Sequence, residues 1–304
     1  MSEHEVHSVA AEGFDKGADA YERARPSYPA EAVAVLVERL GIGPGRRVLD
    51  LAAGTGKLTR LLLPTGADVV ALEPVPGMRA QLEQAVPGIE VLGGTAEAVP
   101  APDASFDAVV CAQAWHWFDS PVALREVARL LRAPERRGAD KSPERRGADK
   151  SPERRGADKS PERRGTGKSP ERRGAEDHAS GLAVLFNIRD SSVDWVHQVT
   201  EISEFYDANR PHHRETRARF AAEVDASGAF GPVELHTFRY HHTMTPDLLV
   251  ERMASQSNVA IMDEAKRTDV LDRVRELTRT HPDLSGRDEF DMPYDTEVAL
   301  CFLR

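Results

Sequence analysis

An α/β chain on a mostly parallel, doubly wound sheet of seven strands is predicted by three observations. Short apolar runs alternate with helical patterns as far as Asn187, the signature of successive βα units. The first run, Val48 to Leu51, passes through the glycine-containing turn Ala52 to Gly56 into a pattern with Leu58, Leu61 and Leu62 at helical spacing. Acidic or polar residues recur where successive runs end, the edge at which such sheets bind ligands.

Each element has its own reason. Phe14 to Pro29 reads as a short helix and a Pro-bounded turn. In Ala30 to Leu40, Val33, Leu36, Val37 and Leu40 share a helix face, and Gly43-Pro44-Gly45 breaks the pattern. Strands are predicted at Arg47 to Leu51, Asp68 to Glu73, Ile89 to Leu92 and Phe106 to Ala112. Helices are predicted at Lys57 to Leu63, Pro76 to Ala85 and Val122 to Leu131. Order resumes at Gly181 to Asn187, a fifth strand. Asp194 to Phe205, Glu215 to Val224, Pro246 to Met253 and Asp263 to Thr280 follow as helices. Val233 to His242 alternates like a strand, and Glu297 to Leu303 is the last, antiparallel strand, paired with it at a sheet edge.

Between the last helix of the first half and the fifth strand the pattern stops. From Pro134 the unit Pro-Glu-Arg-Arg-Gly-Ala-Asp-Lys-Ser recurs every nine residues. Each unit holds a proline and a glycine and no large apolar side chain, so it builds no core. Residues 133–177 are therefore expected to be a disordered insert in a single domain spanning 1–304, with 190–230 and 246–290 as lid or substrate segments. Pro134 to Ala175 carries 14 Lys+Arg against 8 Asp+Glu, leaving −16 on the rest of a chain whose net charge is −10. That acidity argues against a nucleic-acid partner. The chain has no apolar run near the length of a membrane span and no signal region at its start, and its two cysteines, Cys111 and Cys301, sit in apolar runs. A cytoplasmic protein with reduced thiols is expected. His212, His213, His236, His241 and His242 lack the spacing that would bring three ligands together with a carboxylate, so no metal is expected.

The predicted ligand edge collects Asp50, Gly54 and Gly56 after the first strand and Glu73 after the second. Thr95, Ala96 and Glu97 follow the third, and Gln113 follows the fourth. A carboxylate after the second strand accepts from two ribose hydroxyls and suits any adenosine cofactor. The glycine turn discriminates. A dinucleotide turn leaves helix amides free for a pyrophosphate. Here an acid precedes the glycines, which opposes a phosphate and suits a cation such as a sulfonium bearing an α-amino group.

On these residues the sequence resembles the class I S-adenosylmethionine-dependent methyltransferases of the type 11 small-molecule group, which includes trans-aconitate-like and ubiquinone-biosynthesis-like enzymes. Asp50 to Gly56 is similar to the family's first motif, Glu73 to its ribose ligand, and Gly94 to Pro100 to its adenine-side motif. Ser105 to Val109 resembles its fourth strand and Ala112 to Phe118 the segment that follows. The resemblance implies a Rossmann-like fold, S-adenosylmethionine as cofactor and a small-molecule methyl acceptor. It implies cofactor contacts from Asp50, Ala52, Gly54, Gly56, Glu73, Thr95, Ala96, Glu97 and Gln113, with Tyr21 and Arg25 in a flap over the site. Two positions depart from the pattern: Ala52 replaces the first glycine, so the backbone there keeps φ below zero or is strained, and Thr95 replaces an acid. Proximity dominates catalysis in such enzymes. His116 is the candidate general base, or else it packs the pocket with Trp115 and Trp117. The alternatives to an enzyme are a cofactor-binding protein without turnover and an interaction protein using the Arg-rich insert as an arm.

Overall fold

The structure, a computed structural model, describes residues 24–133, 179–203 and 213–304. Tyr21, His212 and the nine-residue repeats lie outside the described residues. Seven strands form one sheet in the order β3-β2-β1-β4-β5-β7-β6. They are β1 (Arg47–Leu51), β2 (Asp68–Leu72), β3 (Glu90–Leu92), β4 (Ala108–Ala112), β5 (Gly181–Arg189), β6 (Glu234–Met244) and β7 (Phe290–Phe302). β1 through β5 pair in parallel, while β7 runs antiparallel to both β5 and β6. The chain thus winds outward from β1 to β3 and returns to lay β4 on the other side of β1.

The central strands read as nearly continuous apolar runs because both faces are covered. Alternate residues go to opposite layers. Leu49, Leu51, Val109, Cys111, Leu182 and Val184 join one core with α4 (Ser120–Leu130). Val48, Ala108, Val110, Ala183 and Leu185 join another with α1 (Ala30–Leu40) and α2 (Lys57–Leu62). α1 buries Ala32, Leu36 and Leu40, and its C-cap Gly41, at φ 61, donates its N–H to Val37 O. α4 starts where the Asp119 carboxylate accepts from Val122 N at 3.3 Å, an N-cap. α3 (Pro76–Ala85) lays Leu82 on Ala71 of β2.

β5 ends at Arg189, opposite Tyr294, but β6 and β7 stay paired as far as Met244 and Phe290. This overhang carries a separate core. α5 (Asp194–Ile202), α7 (Pro246–Ala254) and α9 (Glu264–Thr280) meet there through Trp195, Leu249 and Val274, packed with Phe290 and Tyr294. α8 (Ser257–Ala260) is a short connector. α6 (His213–Ser227) instead sets Phe220 and Val224 into the main core. The 190–230 stretch therefore divides between two layers.

Several element ends shift from the sequence expectation, and two of the shifts have a plain cause. β7 begins at Phe290 rather than Glu297, although Pro293 lies within it. At that point β5 has ended, so β6 alone completes the pairing. β4 begins at Ala108 because Phe106 bridges Leu131, just past α4, instead. Arg132 then donates to the Asp107 carboxylate at 2.5 Å, while Ser180 accepts from Leu303 N at 2.9 Å. The two described flanks of the repeats therefore sit at the amino-terminal ends of β4 and β5.

Candidate active site

Parallel strands part at the carboxyl ends of β1 and β4, because the chain leaves β1 for β2 on one side and returns as β4 on the other. A cavity of about 1110 Å³ opens there. That exceeds the usual range for one small ligand, roughly 300–1,000 Å³.

Asp50 lies at the base, 1% exposed. Its Oδ2 accepts from Thr59 Oγ1 at 2.6 Å, while the buried Oδ1 has no partner among the described residues. Burial pushes the carboxyl from 3.8 up to about 6; the Thr59 hydrogen bond opposes this and the Glu73 charge adds to it. Glu73, also buried, accepts from Gly54 N with Oε2 and from Val75 N with Oε1, both at 2.9 Å. Its carboxyl is raised by burial, and the two backbone amides resist the rise. An ionised carboxylate has about four lone-pair sites, so Glu73 keeps capacity for hydroxyl donors.

The turn after β1 is left-handed at Ala52 (φ 57), Gly54 (φ 59) and Gly56 (φ 82). Of the two sequence alternatives for Ala52, the strained one holds, at a cost of about 1–2 kcal/mol. Ala52 and Gly54 line the cavity; Gly56 does not. A Cβ at Gly56 would lie 2.3 Å from Leu82 Cδ1, so this glycine seats the turn against α3.

Thr95, Ala96 and Glu97 all line the cavity, with Thr95 exposed and Ala96 buried. Glu97 spends Oε1 on Asp119 N at 3.0 Å, bracing the loop before α4. Gln113, at the end of β4, holds φ 63 and donates its backbone N–H to Leu185 O. Its Nε2 is buried with no partner among the described residues. Strained non-glycine residues thus stand at the ends of two neighbouring strands, where strain commonly marks function. His116 is exposed on the 3₁₀ turn Trp115–Trp117, its ring 4.8 Å from that of Trp117 and 6.1 Å from that of Phe186. Trp115 is buried instead, donating Nε1–H to Ser120 Oγ and packing edge-on against Phe118 and Phe220. It anchors the turn that presents His116.

These groups suit a ligand that offers a cation or N–H to Asp50, hydroxyls to Glu73 and an acceptor to Gln113. S-Adenosylmethionine meets all three demands, so the residues present fit it. Among the described residues no three His, Cys, Asp or Glu side chains come together as metal ligands.

Comparison with known proteins supplies the family. A profile described as "Methyltransferase domain" matches residues 49–134. An uncharacterized methyltransferase of Mycobacterium tuberculosis is 35% identical over 288 residues, covering 95% of this chain and 93% of its own length. This chain belongs to the class I S-adenosylmethionine-dependent methyltransferases. The methyltransferase also matches a demethylmenaquinone methyltransferase of Renibacterium salmoninarum, 38% identical over 99 residues, 32% of this chain and 42% of that one. Its fold is like that of a candidate methyltransferase of an antibiotic biosynthesis pathway from Anabaena variabilis. That likeness has a TM-score of 0.58 at 19% identity, covering 91% of this chain and 98% of that chain.

Arg25, which the resemblance had set in a flap over the site, lines the methyltransferase cleft. Tyr28, Asn187, Arg219, Glu223 and Arg252 line it too and were not named as site residues from the sequence. Asn187 ends the run read as the fifth strand, so the strand-end rule that found Gln113 applies to it too. It donates Nδ2–H to Ser27 O and accepts from Thr296 Oγ1, tying the segment before α1 to the sheet. Arg219 and Arg252 lie within helices and carry no local signal.

Proposed function

We propose that this methyltransferase transfers a methyl group to a small-molecule acceptor held between the β1–β4 edge and the wall formed by Arg25, Asn187 and Arg252. One observation carries the reading: the same cavity, about 1110 Å³, is lined by both groups of residues. It has room for an adenosine cofactor and a second small molecule together. The resemblance to trans-aconitate-like and ubiquinone-biosynthesis-like enzymes supports a small acceptor, as does the partial match to a demethylmenaquinone methyltransferase.

When bound, S-adenosylmethionine supplies an electrophilic methyl group on sulfur. Asp50 accepts from the ammonium end of that ligand, Glu73 from its ribose, and Gln113 donates to it from the strand edge. Thr95, Ala96 and Glu97 flank the base. His116 takes a proton from the acceptor, a role favoured by its exposure at the cavity wall. Arg25, which lines the cavity, belongs to a flap over the site. Two buried free cysteines, Cys111 and Cys301, support a reducing, cytoplasmic setting. Among the described residues no helix is long and apolar enough to cross a membrane.

Calorimetry with S-adenosylmethionine and with NAD, followed by a methyl-transfer screen over small acids and phenols, tests the proposal. Micromolar binding of the first and none of the second is expected. Binding without transfer to any member of the screen would favour a cofactor-binding protein, and tight NAD binding would overturn the assignment.

A further inference from the structure

Arg252 is the least compensated charge of the cleft. It lies on α7, is only 6% exposed and lines the cavity. Its Nε and Nη1 have no hydrogen-bond partner among the described residues. Several other guanidinium groups of the chain are paired with carboxylates. Arg129 meets Asp103 and Glu126, each at 2.7 Å, and Arg132 meets Asp107. For Arg252 no ion pair occurs among the described residues, and a buried charge left without a partner is costly.

Its surroundings add positive charge. Arg25 Nη2 donates to Ser255 O at 3.0 Å, and Ser255 Oγ donates to Arg252 O at 2.9 Å, so a second guanidinium braces the end of the same helix. His242 is held neutral: burial first, then the charges of Arg252 and Lys57, push its imidazole down to about 4. Its Nδ1 is also buried without a partner among the described residues. Elsewhere the cavity is lined by Asp50, Glu73, Glu97 and Glu223. Those acids disfavour a phosphate dianion and leave room for a singly charged acid group at the Arg252 end.

We propose that Arg252 is the carboxylate-binding residue of the cleft, its missing counter-ion being the acid group of a ligand. The inference rests on the proposed function. That carboxylate belongs either to the methyl acceptor or to the amino-acid end of S-adenosylmethionine.

The full chain and its Arg252→Gln and Arg252→Lys variants separate these sources. S-Adenosylhomocysteine is compared by calorimetry with 5′-methylthioadenosine, which lacks the amino-acid end. Benzoate and succinate are compared with their amides in the presence of saturating S-adenosylhomocysteine. If the cofactor supplies the acid, Arg252→Gln weakens S-adenosylhomocysteine at least tenfold and leaves methylthioadenosine within twofold. If the acceptor supplies it, the nucleoside affinities hold and the preference for acid over amide falls at least tenfold. Arg252→Lys recovers part of either loss, and carries the test if Arg252→Gln does not fold. The proposal is overturned if folded variants keep both S-adenosylhomocysteine and the acids within twofold, if acid and amide weaken alike, or if neither acid binds the wild type and S-adenosylhomocysteine is unaffected. Failure of the wild type to bind S-adenosylhomocysteine would sink the methyltransferase mechanism instead, while Arg252-dependent binding of the acids would still stand.

Discussion

The backbone N–H of Gly54 donates to Glu73 Oε2 at 2.9 Å, joining the turn after β1 to the acid after β2. The other oxygen holds Val75 N at the start of α3, so one carboxylate sets two loops. Glu73→Ala leaves both amides without this acceptor, at about 1–3 kcal/mol for each that stays buried. The expected outcome is a lower Tm and at least a tenfold weaker affinity for S-adenosylhomocysteine. Wild-type affinity in a folded Glu73→Ala protein would show that the acid serves the loops alone.

Substitutions in the turn should rank by cause. Gly56→Ala combines a left-handed φ with a Cβ 2.3 Å from Leu82 Cδ1, and costs about 2 kcal/mol or more. Gly54→Ala meets nothing nearer than Met78 Sδ at 4.0 Å, and costs only the strain of φ 59, about 1 kcal/mol. Ala52→Gly relieves strain and stabilises by up to about 1 kcal/mol. Urea unfolding of the three variants checks the order. Equal losses at Gly54 and Gly56 would remove the Leu82 contact from the explanation.

Asp50 links stability to pH. Burial pushes its carboxyl up to about 6 in the folded protein, against an ordinary 3.8. Between those values the unfolded chain has lost a proton that the folded chain still holds. Stability therefore falls as pH rises from about 4 to about 6 and then levels, by about 3 kcal/mol at most. Asp50→Asn should lose that fall. A cationic ligand needs the ionised form, so S-adenosylhomocysteine should bind more weakly below pH 6 in the wild type only. An unchanged pH profile in Asp50→Asn would argue against both statements.

His116 as a base and His116 as packing differ in kinetics. For a base, His116→Gln lowers kcat by about 10²–10⁴-fold and removes the acid limb of the pH–rate curve. For packing, KM rises and the limb stays. The curve measured with a confirmed acceptor decides between them.

The repeats should be dispensable for chemistry. Their described flanks, Arg132 and Ser180, are fixed at the amino-terminal ends of β4 and β5, opposite the cleft. Deleting residues 134–175 is expected to leave kcat/KM within twofold. A tenfold loss would tie the insert to the site.

The half of the fold that alternates strand and helix was legible because both faces of its strands are covered, which makes apolar runs unbroken. β6 was legible for the opposite reason, since its edge position leaves an alternating burial pattern. The first seven residues of β7 were hidden by Pro293 and by the acids Asp291 and Asp295; pairing with β6 makes all seven a strand, and β5 joins only from Tyr294 onward. In the site, Asp50, Glu73 and Gln113 were found by position at strand ends. The seating of Gly56 against Leu82 and the use of Glu97 on Asp119 depend on contacts between distant segments. Arg252 was invisible for the same reason: a helical arginine is ordinarily solvated, and only the folded cleft, with His242 of β6 close by, buries it.

β7 is the last of the seven strands to be synthesised, yet it lies inside the sheet between β5 and β6. Until it arrives, β5 presents a bare edge along Leu182-Ala-Val-Leu185, and β6 has no partner strand. A nascent chain must therefore hold an apolar edge open while more than a hundred residues are added, a state prone to pairing with other chains. Ribosomes stalled before Phe290 should yield aggregating product that depends on chaperones, however well β1 through β4 have already assembled.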